Sequence, residues 1–323
     1  MKKILGLDSL RFFAFLMIFF HHTLPKTEFA HLAIDLFFVL SSFLLTLLAL
    51  KEIKDNGVFE KFNFFMRRAL RIFPLYFLIL IFSFLFLPFF AKILDVDISL
   101  PDEPLLYVFF LSNYETTDSL FALKFLWSIA VEEQFYLIFI LFSFLFKKYI
   151  WIFILLLFGC YFIFMNYALN NNISIYSHTL AHFSSFASGM VGAYLYFKEI
   201  NHIKFGVIVL TLSFGALFFI DNPILFHFIL SIMYISLILV FIHLSKHIEG
   251  NSIFKLTEKL GVYTYGLYLY SGFVITFCLI LFPTYNIYLR MIIELSILIP
   301  ISILSYHLYE KQFLKLKSNF RKG

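Results

Sequence analysis

Apolar runs of about 20 residues recur along the whole chain, and this feature restricts its fold more than any other. A helix of that length crosses a bilayer, in which the backbone N–H and C=O groups must pair within the segment itself. The composition agrees, because 62% of the residues are hydrophobic, 14% are charged and the mean hydropathy is +0.91. A soluble domain of 323 residues does not need so much apolar surface. The chain is therefore predicted to be an all-α integral membrane protein.

We predict about ten transmembrane helices in a single domain that covers the whole chain. The predicted spans lie near residues 6–25, 32–50, 72–90, 124–146, 149–168, 176–197, 203–220, 223–245, 260–282 and 287–309. With the N-terminus in the cytoplasm, most of the 25 Lys and Arg residues, Lys2 and Lys3 among them, fall on the cytoplasmic side. The acidic segment 91–123, which includes Asp118, is then external. Both termini are therefore expected in the cytoplasm.

The stretch 5–24, which makes up most of the first predicted span, carries ionisable groups within an otherwise apolar run. Asp8, Arg11, His21 and His22 would be expensive in hydrocarbon unless they are paired or line a wet cavity, so they are functional candidates. The helical period places Arg11 and His22 on one stripe about 16 Å apart. This arrangement favours a site that runs through the membrane. The alternative is that Arg11 snorkels to the headgroups and the histidines cap an interfacial end.

A carboxylate opens the second predicted span. Asp35 lies across a short loop from His21 and His22. A carboxylate beside an imidazole fixes its tautomer and makes it a better base, so Asp35 is a candidate partner for these histidines. The alternative is that Asp35 simply caps the helix N-terminus.

Three arginines cluster at the cytoplasmic entrance to the third predicted span. Arg67, Arg68 and Arg71 share about one helical turn, and Pro74 then marks a bend. Guanidinium forks suit phosphate oxygens, so the cluster is a candidate phosphate site. The alternative is a basic cluster that faces lipid and only sets the topology.

The stretch 126–136, LWSIAVEEQFY, brings polar groups into the fourth long apolar run. Ser128, Glu132 and Tyr136 repeat at i, i+4 and i+8 and therefore lie one above another on a helix. Two adjacent carboxylates in such a run are hard to explain as packing. We expect Glu132 to face the interior, while Glu133, about 100° around the helix, pairs elsewhere or faces a wet vestibule. A structural polar network is the alternative.

Other partners are not indicated by the sequence. His178 and His182 stand one helical turn apart, but two ligands without a third are a weak metal signal, and we expect them to anchor the chain at the interface. We therefore expect no bound metal and no nucleic-acid partner. The oligomeric state stays open.

These motifs, in this order and spacing, resemble membrane acyltransferase family 3, the multi-span O-acyltransferases of envelope polysaccharides. The match begins with LDSLRFFAFLMIFFHH, in which Arg11 is followed by ten residues and His22. It continues through IDLFFVLSSFLLT, RRALRIFPLY and WSIAVEEQFY, and ends with LGVYTYGLYLY and YHLYEKQF. The chain departs from the family pattern at Ser42, where Gly is usual, at Ser271, where a late His is expected, and at Gln312, where Pro is usual. We expect the extracellular domain that some members append to be absent.

The resemblance implies transfer of an acyl group, usually acetyl from acetyl-CoA, to a hydroxyl of a carbohydrate acceptor, lipid-linked or periplasmic, at the cytoplasmic (inner) membrane. It implies His22 as general base or acyl relay, with Asp35 or Glu132 orienting it. Arg11 would hold the donor or stabilise a developing oxyanion. The donor-binding residues would be Arg67, Arg68 and Arg71, and the acceptor-binding residues Trp127, Ser128 and Tyr136. The competing interpretation is a transporter or flippase, which also places ionisable groups along a central path.

Overall fold

The computed structural model describes residues 4–25, 32–93, 95, 97–115, 120–200 and 203–320. The predictions for Lys2, Lys3 and Asp118 fall outside these residues. The described part of the chain consists of helices, turns and loops and contains no strand. The prediction of an all-α protein is therefore confirmed.

The helices follow one another along the chain with short connections. They are α1 (Leu7–Thr23), α2 (Ala33–Asn56), α3 (Lys61–Ile93), α4 (Pro104–Val108), α5 (Phe121–Leu145), α6 (Ile150–Asn170), α7 (Phe183–Phe197), α8 (Ile203–Ala216), α9 (Pro223–Ser245), α10 (Ser252–Gly261), α11 (Thr264–Leu281) and α12 (Ile287–Phe320). A 3-10 turn, Thr179–His182, leads into α7. α3 and α12 each contain an internal proline and a π-helical segment, Phe82–Phe86 and Tyr306–Glu310.

Within the described residues, seven helices are long and apolar enough to cross a membrane, namely α2, α3, α5, α6, α9, α11 and α12. The other three predicted spans are also helical but shorter. α1 has 17 residues, α7 has 15 and α8 has 14, against the roughly 20 that a spanning helix needs. The chain is therefore an integral membrane protein with at least these seven candidate spans. The count of ten and the orientation of the termini stay predictions.

The chain divides into two compact units. The first comprises Met1–Ile18, Phe29–Phe59 and Leu137–Val262, and the second Phe19–Glu28, Glu60–Tyr136 and Tyr263–Gly323. Helices α1 and α5 therefore each contribute residues to both units. The single domain stays a prediction.

The first unit is built on close contact between α2 and α7. A Cβ added at Gly189 would overlap the Ser42 hydroxyl and the Val39 carbonyl, so only glycine fits this position. Small residues at helix interfaces let the backbones approach in this way. The serine that replaces the family's usual glycine at position 42 is thus accommodated by a glycine on the facing helix.

The start of α1 is fixed within the first unit by a carboxylate from α10. Glu258 Oε1 accepts hydrogen bonds from the backbone N–H of Gly6 at 3.1 Å and of Ser9 at 3.0 Å, and from the Ser9 hydroxyl at 3.0 Å. A carboxylate suits a helix N-terminus because it satisfies unpaired N–H groups and complements the helix dipole. This anchor holds the first turns of α1, which carry Asp8 and Arg11.

Tyrosine hydroxyls tie helices together around the bend in α3, in the second unit. Tyr265 on α11 donates to the Ile72 carbonyl at 2.7 Å, and Tyr309 on α12 donates to the Pro74 carbonyl at 3.2 Å. Buried tyrosines pack their rings and still need a partner for the hydroxyl. The two closing motifs of the sequence therefore pack on the helix that carries the arginine cluster.

Candidate functional site

Arg11 forms an ion pair within its own helix, in the first unit. Its Nη1 donates to Asp8 Oδ1 at 2.8 Å, and the two side chains are only 16% and 17% exposed. A partly buried, hydrogen-bonded pair of this kind is held more firmly than a solvated surface pair. Arg11 therefore has a fixed position at the beginning of α1.

His22 lies near the end of α1, in the second unit, among aromatic rings. Its ring centroid is 4.6 Å from that of Phe125, 5.4 Å from that of Phe121 and 5.0 Å from that of His21. No residue in the described part of the chain forms a hydrogen bond with either ring nitrogen of His22. The aromatic rings restrict the imidazole and leave its nitrogens available to a ligand.

Tyr268 and Ser128 hold the backbone of Phe125, one of the aromatic residues around His22. The Tyr268 hydroxyl donates to the Phe125 carbonyl at 3.0 Å and lies 2.9 Å from Ser128 Oγ. Ser128 is 4% exposed and also donates to the Phe125 carbonyl, at 3.3 Å. Ser128, predicted to bind the acceptor, thus lies in the packing behind Phe125, whereas Trp127 is partly exposed.

The arginine cluster lies in the second unit, and all three side chains are partly buried. Arg67 Nη1 donates to the Phe320 carbonyl at 2.7 Å. The charge of Arg71 interacts with Glu310, which is 8% exposed. The cluster therefore has partners inside the protein, which disfavours the interpretation that it only faces lipid.

The third arginine, Arg68, acts electrostatically on one carboxylate of α5. Arg68 lies over the Phe64 ring at 5.8 Å, and its charge interacts with Glu133. Glu133 is only 5% exposed, and its Oε1 has no hydrogen-bond partner among the described residues. Glu132 is less buried and accepts a hydrogen bond from the Tyr136 hydroxyl at 3.1 Å. The expected burial of the two glutamates is therefore reversed, because Glu133 is the more buried one.

The residues that depart from the family pattern have local partners. Ser271 is 1% exposed and donates to the Tyr268 carbonyl at 2.6 Å, within its own helix. Gln312 is exposed and accepts from Lys315 Nζ at 3.2 Å. Neither residue takes the place of a second acid–base histidine.

A separate polar cluster surrounds Asp35 in the first unit. Asp35 is 4% exposed, and its Oδ1 lies 3.0 Å from His182 Nδ1 and accepts from Ser185 Oγ at 2.8 Å. Its Oδ2 lies 3.7 Å from His227 Nδ1. The other ring nitrogen of His182 is 3.0 Å from the Tyr176 carbonyl. The hydrogen bonds of Asp35 are thus made to α7 and the turn before it.

This cluster corrects one prediction. Asp35 was a candidate partner for His21 and His22, which are near it in sequence, but its hydrogen-bonded histidine is His182, 147 residues further along the chain. His182 is 5% exposed, and its predicted position at the membrane interface stays a prediction. The ionisable character of His182 within an apolar stretch was the only sequence signal for this contact. Within the described residues, no group of three or more His, Cys, Asp or Glu side chains is arranged to hold a metal ion.

The chain has apolar helices long enough to cross a membrane, and each of its two units buries ionisable side chains. These features define an integral membrane protein with polar sites inside it. A family model described as an acyltransferase domain matches residues 4–309, nearly the whole chain. The chain therefore belongs to membrane acyltransferase family 3.

Relatives from Staphylococcus aureus match part of the chain. A protein of strain COL, provisionally named an O-acetyltransferase, is 34% identical over 151 residues, which are 43% of this chain and 24% of that protein. The O-acetyltransferase OatA of strain NCTC 8325 / PS 47 is 32% identical over 148 residues, 42% of this chain and 24% of that protein. The matched region thus spans about a quarter of each relative. No solved structure matches the chain.

Proposed function

We propose that this protein is a membrane O-acetyltransferase that moves an acetyl group from acetyl-CoA to a hydroxyl of a cell-envelope glycan. The observation that carries the proposal is the arginine cluster of α3, which has partners inside the second unit and lies there with His22 and the carboxylates of α5. Membership of the acyltransferase family and the names of the relatives support the same chemistry.

The donor would bind at the arginine cluster. CoA carries several phosphate oxygens, and planar guanidinium groups bind such oxygens in pairs. Arg67, Arg68 and Arg71 are partly buried and close to one another along α3, so they fit an anionic donor. When bound, CoA supplies the acetyl group as a thioester. For Arg11, which Asp8 fixes in place, the proposed role is to stabilise developing negative charge, as the family resemblance implies.

His22 would act as the general base. It removes the proton from the acceptor hydroxyl, whose oxygen bonds to the acetyl carbon while the carbon–sulfur bond breaks, and the proton leaves with the CoA thiol. A base of this kind needs a free ring nitrogen, which the surroundings of His22 provide. A covalent relay of the acetyl group through His22 is the second route that the same residue allows.

The remaining residues are proposed to position these groups. Glu132 would orient the base, and Trp127 and Tyr136 would contact the acceptor, with Tyr136 also holding Glu132 through its hydroxyl. Ser128 would act indirectly, because it supports Phe125 behind His22.

The location follows from the same proposal. A cytoplasmic donor and an envelope acceptor require a protein that spans the inner membrane. The proposed topology has ten spans and both termini in the cytoplasm, as the apolar runs and the positions of Lys and Arg favour. Reporter fusions at the C-terminus and within residues 97–115 test this topology, since the first should report cytoplasm and the second the opposite side.

The enzyme is tested with purified full-length protein in lipid vesicles, supplied with acetyl-CoA and envelope glycan. We expect free CoA to be released and the glycan to gain the mass of one acetyl group. Movement of the glycan across the vesicle membrane without CoA release would instead favour the transporter.

A further inference from the structure

Three helices of the first unit begin around one cavity. Asp35 lies in the first turn of α2, His182 directly precedes α7, and His227 lies early in α9. These side chains line a cavity of about 220 Å³. Helix N-termini carry partial positive charge, which stabilises an anionic Asp35 at this place. The cavity therefore contains a carboxylate that the proposed reaction does not use.

One half of the cluster is fully engaged. The two ring nitrogens of His182 face the Asp35 carboxylate and the Tyr176 carbonyl, each at 3.0 Å. Both of these groups can accept a hydrogen bond from a ring N–H of His182. Ser185 donates to the same carboxylate oxygen at 2.8 Å. This half is a buried hydrogen-bonded cluster that holds α2 and α7 together.

The other half of the cluster, between Asp35 Oδ2 and His227, has no direct hydrogen bond. Asp35 Oδ2 and His227 Nδ1 are 3.7 Å apart, which is too long for a direct hydrogen bond and suited to one bridging oxygen. A hydroxyl can bridge the two side chains, because it donates to the carboxylate and accepts from an imidazole N–H, whereas a phosphate is repelled by the carboxylate.

The size and lining of the cavity restrict the ligand further. A volume of 220 Å³ exceeds that of one water, at about 30 Å³, and is below the roughly 300 Å³ of drug-sized pockets. Ile34 and Met165 provide apolar walls, and Tyr176, which is 48% exposed, lies at the edge. His227 has a side chain that is 26% exposed, so the cavity is accessible. The space suits one small ring with a hydroxyl group.

We propose that this cavity binds a single sugar ring of the acceptor, with one ring hydroxyl held between Asp35 and His227. The inference rests on the proposed function, in which the acceptor is a glycan. Asp35 is then an acceptor-binding residue, and His182 and Ser185 position it.

Binding is tested with the full chain in lipid nanodiscs and a panel of methyl pyranosides, namely the glucoside, galactoside, mannoside and N-acetylglucosaminide. We expect at least one of them to raise the thermal unfolding temperature in a saturable way, whereas tetrahydropyran, a ring without hydroxyls, does not. His227→Phe keeps the Asp35–His182 pair and should weaken binding about tenfold, the effect of losing one hydrogen bond to a charged network.

The matched control is His243→Phe, which changes another partly buried histidine of the same helix and should leave binding unchanged. The proposal is overturned if no pyranoside gives a saturable shift, or if His227→Phe and His243→Phe bind equally well. Binding that depends on His227 in a protein that releases no CoA would refute the proposed function alone. CoA release together with binding that is independent of His227 would refute the acceptor cavity alone.

Discussion

Asp35 in the first unit and Glu133 in the second are both buried carboxylates, at 4% and 5% exposure, but their surroundings differ. Asp35 Oδ1 takes hydrogen bonds from His182 and Ser185. Glu133 Oε1 has none from the described residues, although the charge of Arg68 acts on it. Buried polar atoms in native proteins are nearly always satisfied, so an exception calls for a functional explanation.

The difference indicates two kinds of polar site in one chain. Asp35 Oδ1 has its hydrogen-bond partners, and only Oδ2 faces a gap, toward His227. Such a gap suits a neutral hydroxyl. Glu133 lacks a hydrogen-bond partner among the described residues and is under the charge of Arg68, as expected near a site for a charged ligand. Glu133 thus accompanies the proposed donor and base residues of the second unit, and Asp35 belongs to the proposed sugar cavity of the first.

The largest expected effect is on the chemistry. His22→Ala should lower acetyl transfer about 100-fold or more, since general-base catalysis contributes roughly 10² to 10⁴. CoA release and glycan mass measure it, and insertion into the membrane is checked separately. His21→Ala, one residue away on the same helix, is the control and should keep most of the activity. If the His22 variant is as active as the wild type, His22 is not the general base.

The two carboxylates are expected to affect stability in opposite directions. Asp35→Asn should lower the free energy of unfolding by about 3 kcal/mol, because His182 and Ser185 lose a charged hydrogen-bond acceptor inside the protein. Glu133→Gln removes a buried charge that lacks a hydrogen bond among the described residues, so stability should stay the same or rise by about 1 kcal/mol. Thermal unfolding in nanodiscs measures both variants. If Glu133→Gln lowers the free energy of unfolding as much as Asp35→Asn does, the two carboxylates do not differ in the way described.

A smaller effect is expected where α2 meets α7, the helices that bring Asp35 and Ser185 together. Gly189→Ala should destabilise the protein by about 1–3 kcal/mol through overpacking. Gly159→Ala on α6 is the control, because nothing lies within 4 Å of the added Cβ. Adding Ser42→Gly to Gly189→Ala should restore part of the loss. No loss in Gly189→Ala would mean that this contact does not fix the cluster.

Much of the fold was predictable, because apolar runs report on membrane helices directly. The ionisable residues of α1, α3 and α5 were found by their cost in hydrocarbon, and the motif order identified the family. Helix lengths of 17, 15 and 14 residues in α1, α7 and α8 were not predictable from the same runs. Hydropathy does not show where turns end a helix within an apolar segment.

The partners within each site were predicted less well. Asp35 was assigned to the histidines nearest in sequence, whereas helix packing brings it to His182 and His227. Glu132 was expected to be the interior residue, but adjacent positions on a helix differ by about 100°, and only the packing of α5 decides which one is buried. Tyr268 and Ser128 act through the backbone of Phe125, a contact for which the sequence has no signal.

The most direct test of the account is the donor dependence of a variant in which Arg67, Arg68 and Arg71 are all changed to Gln. The Michaelis constant for acetyl-CoA should rise by about 1,000-fold or more, since three charged hydrogen bonds contribute roughly 1.5–3 kcal/mol each, while that for the glycan stays unchanged. The control changes three exposed lysines, Lys147, Lys148 and Lys198, to Gln and should alter neither constant. A rise in the acetyl-CoA constant confined to the arginine variant supports donor binding in the second unit. An unchanged acetyl-CoA constant in that variant would contradict it.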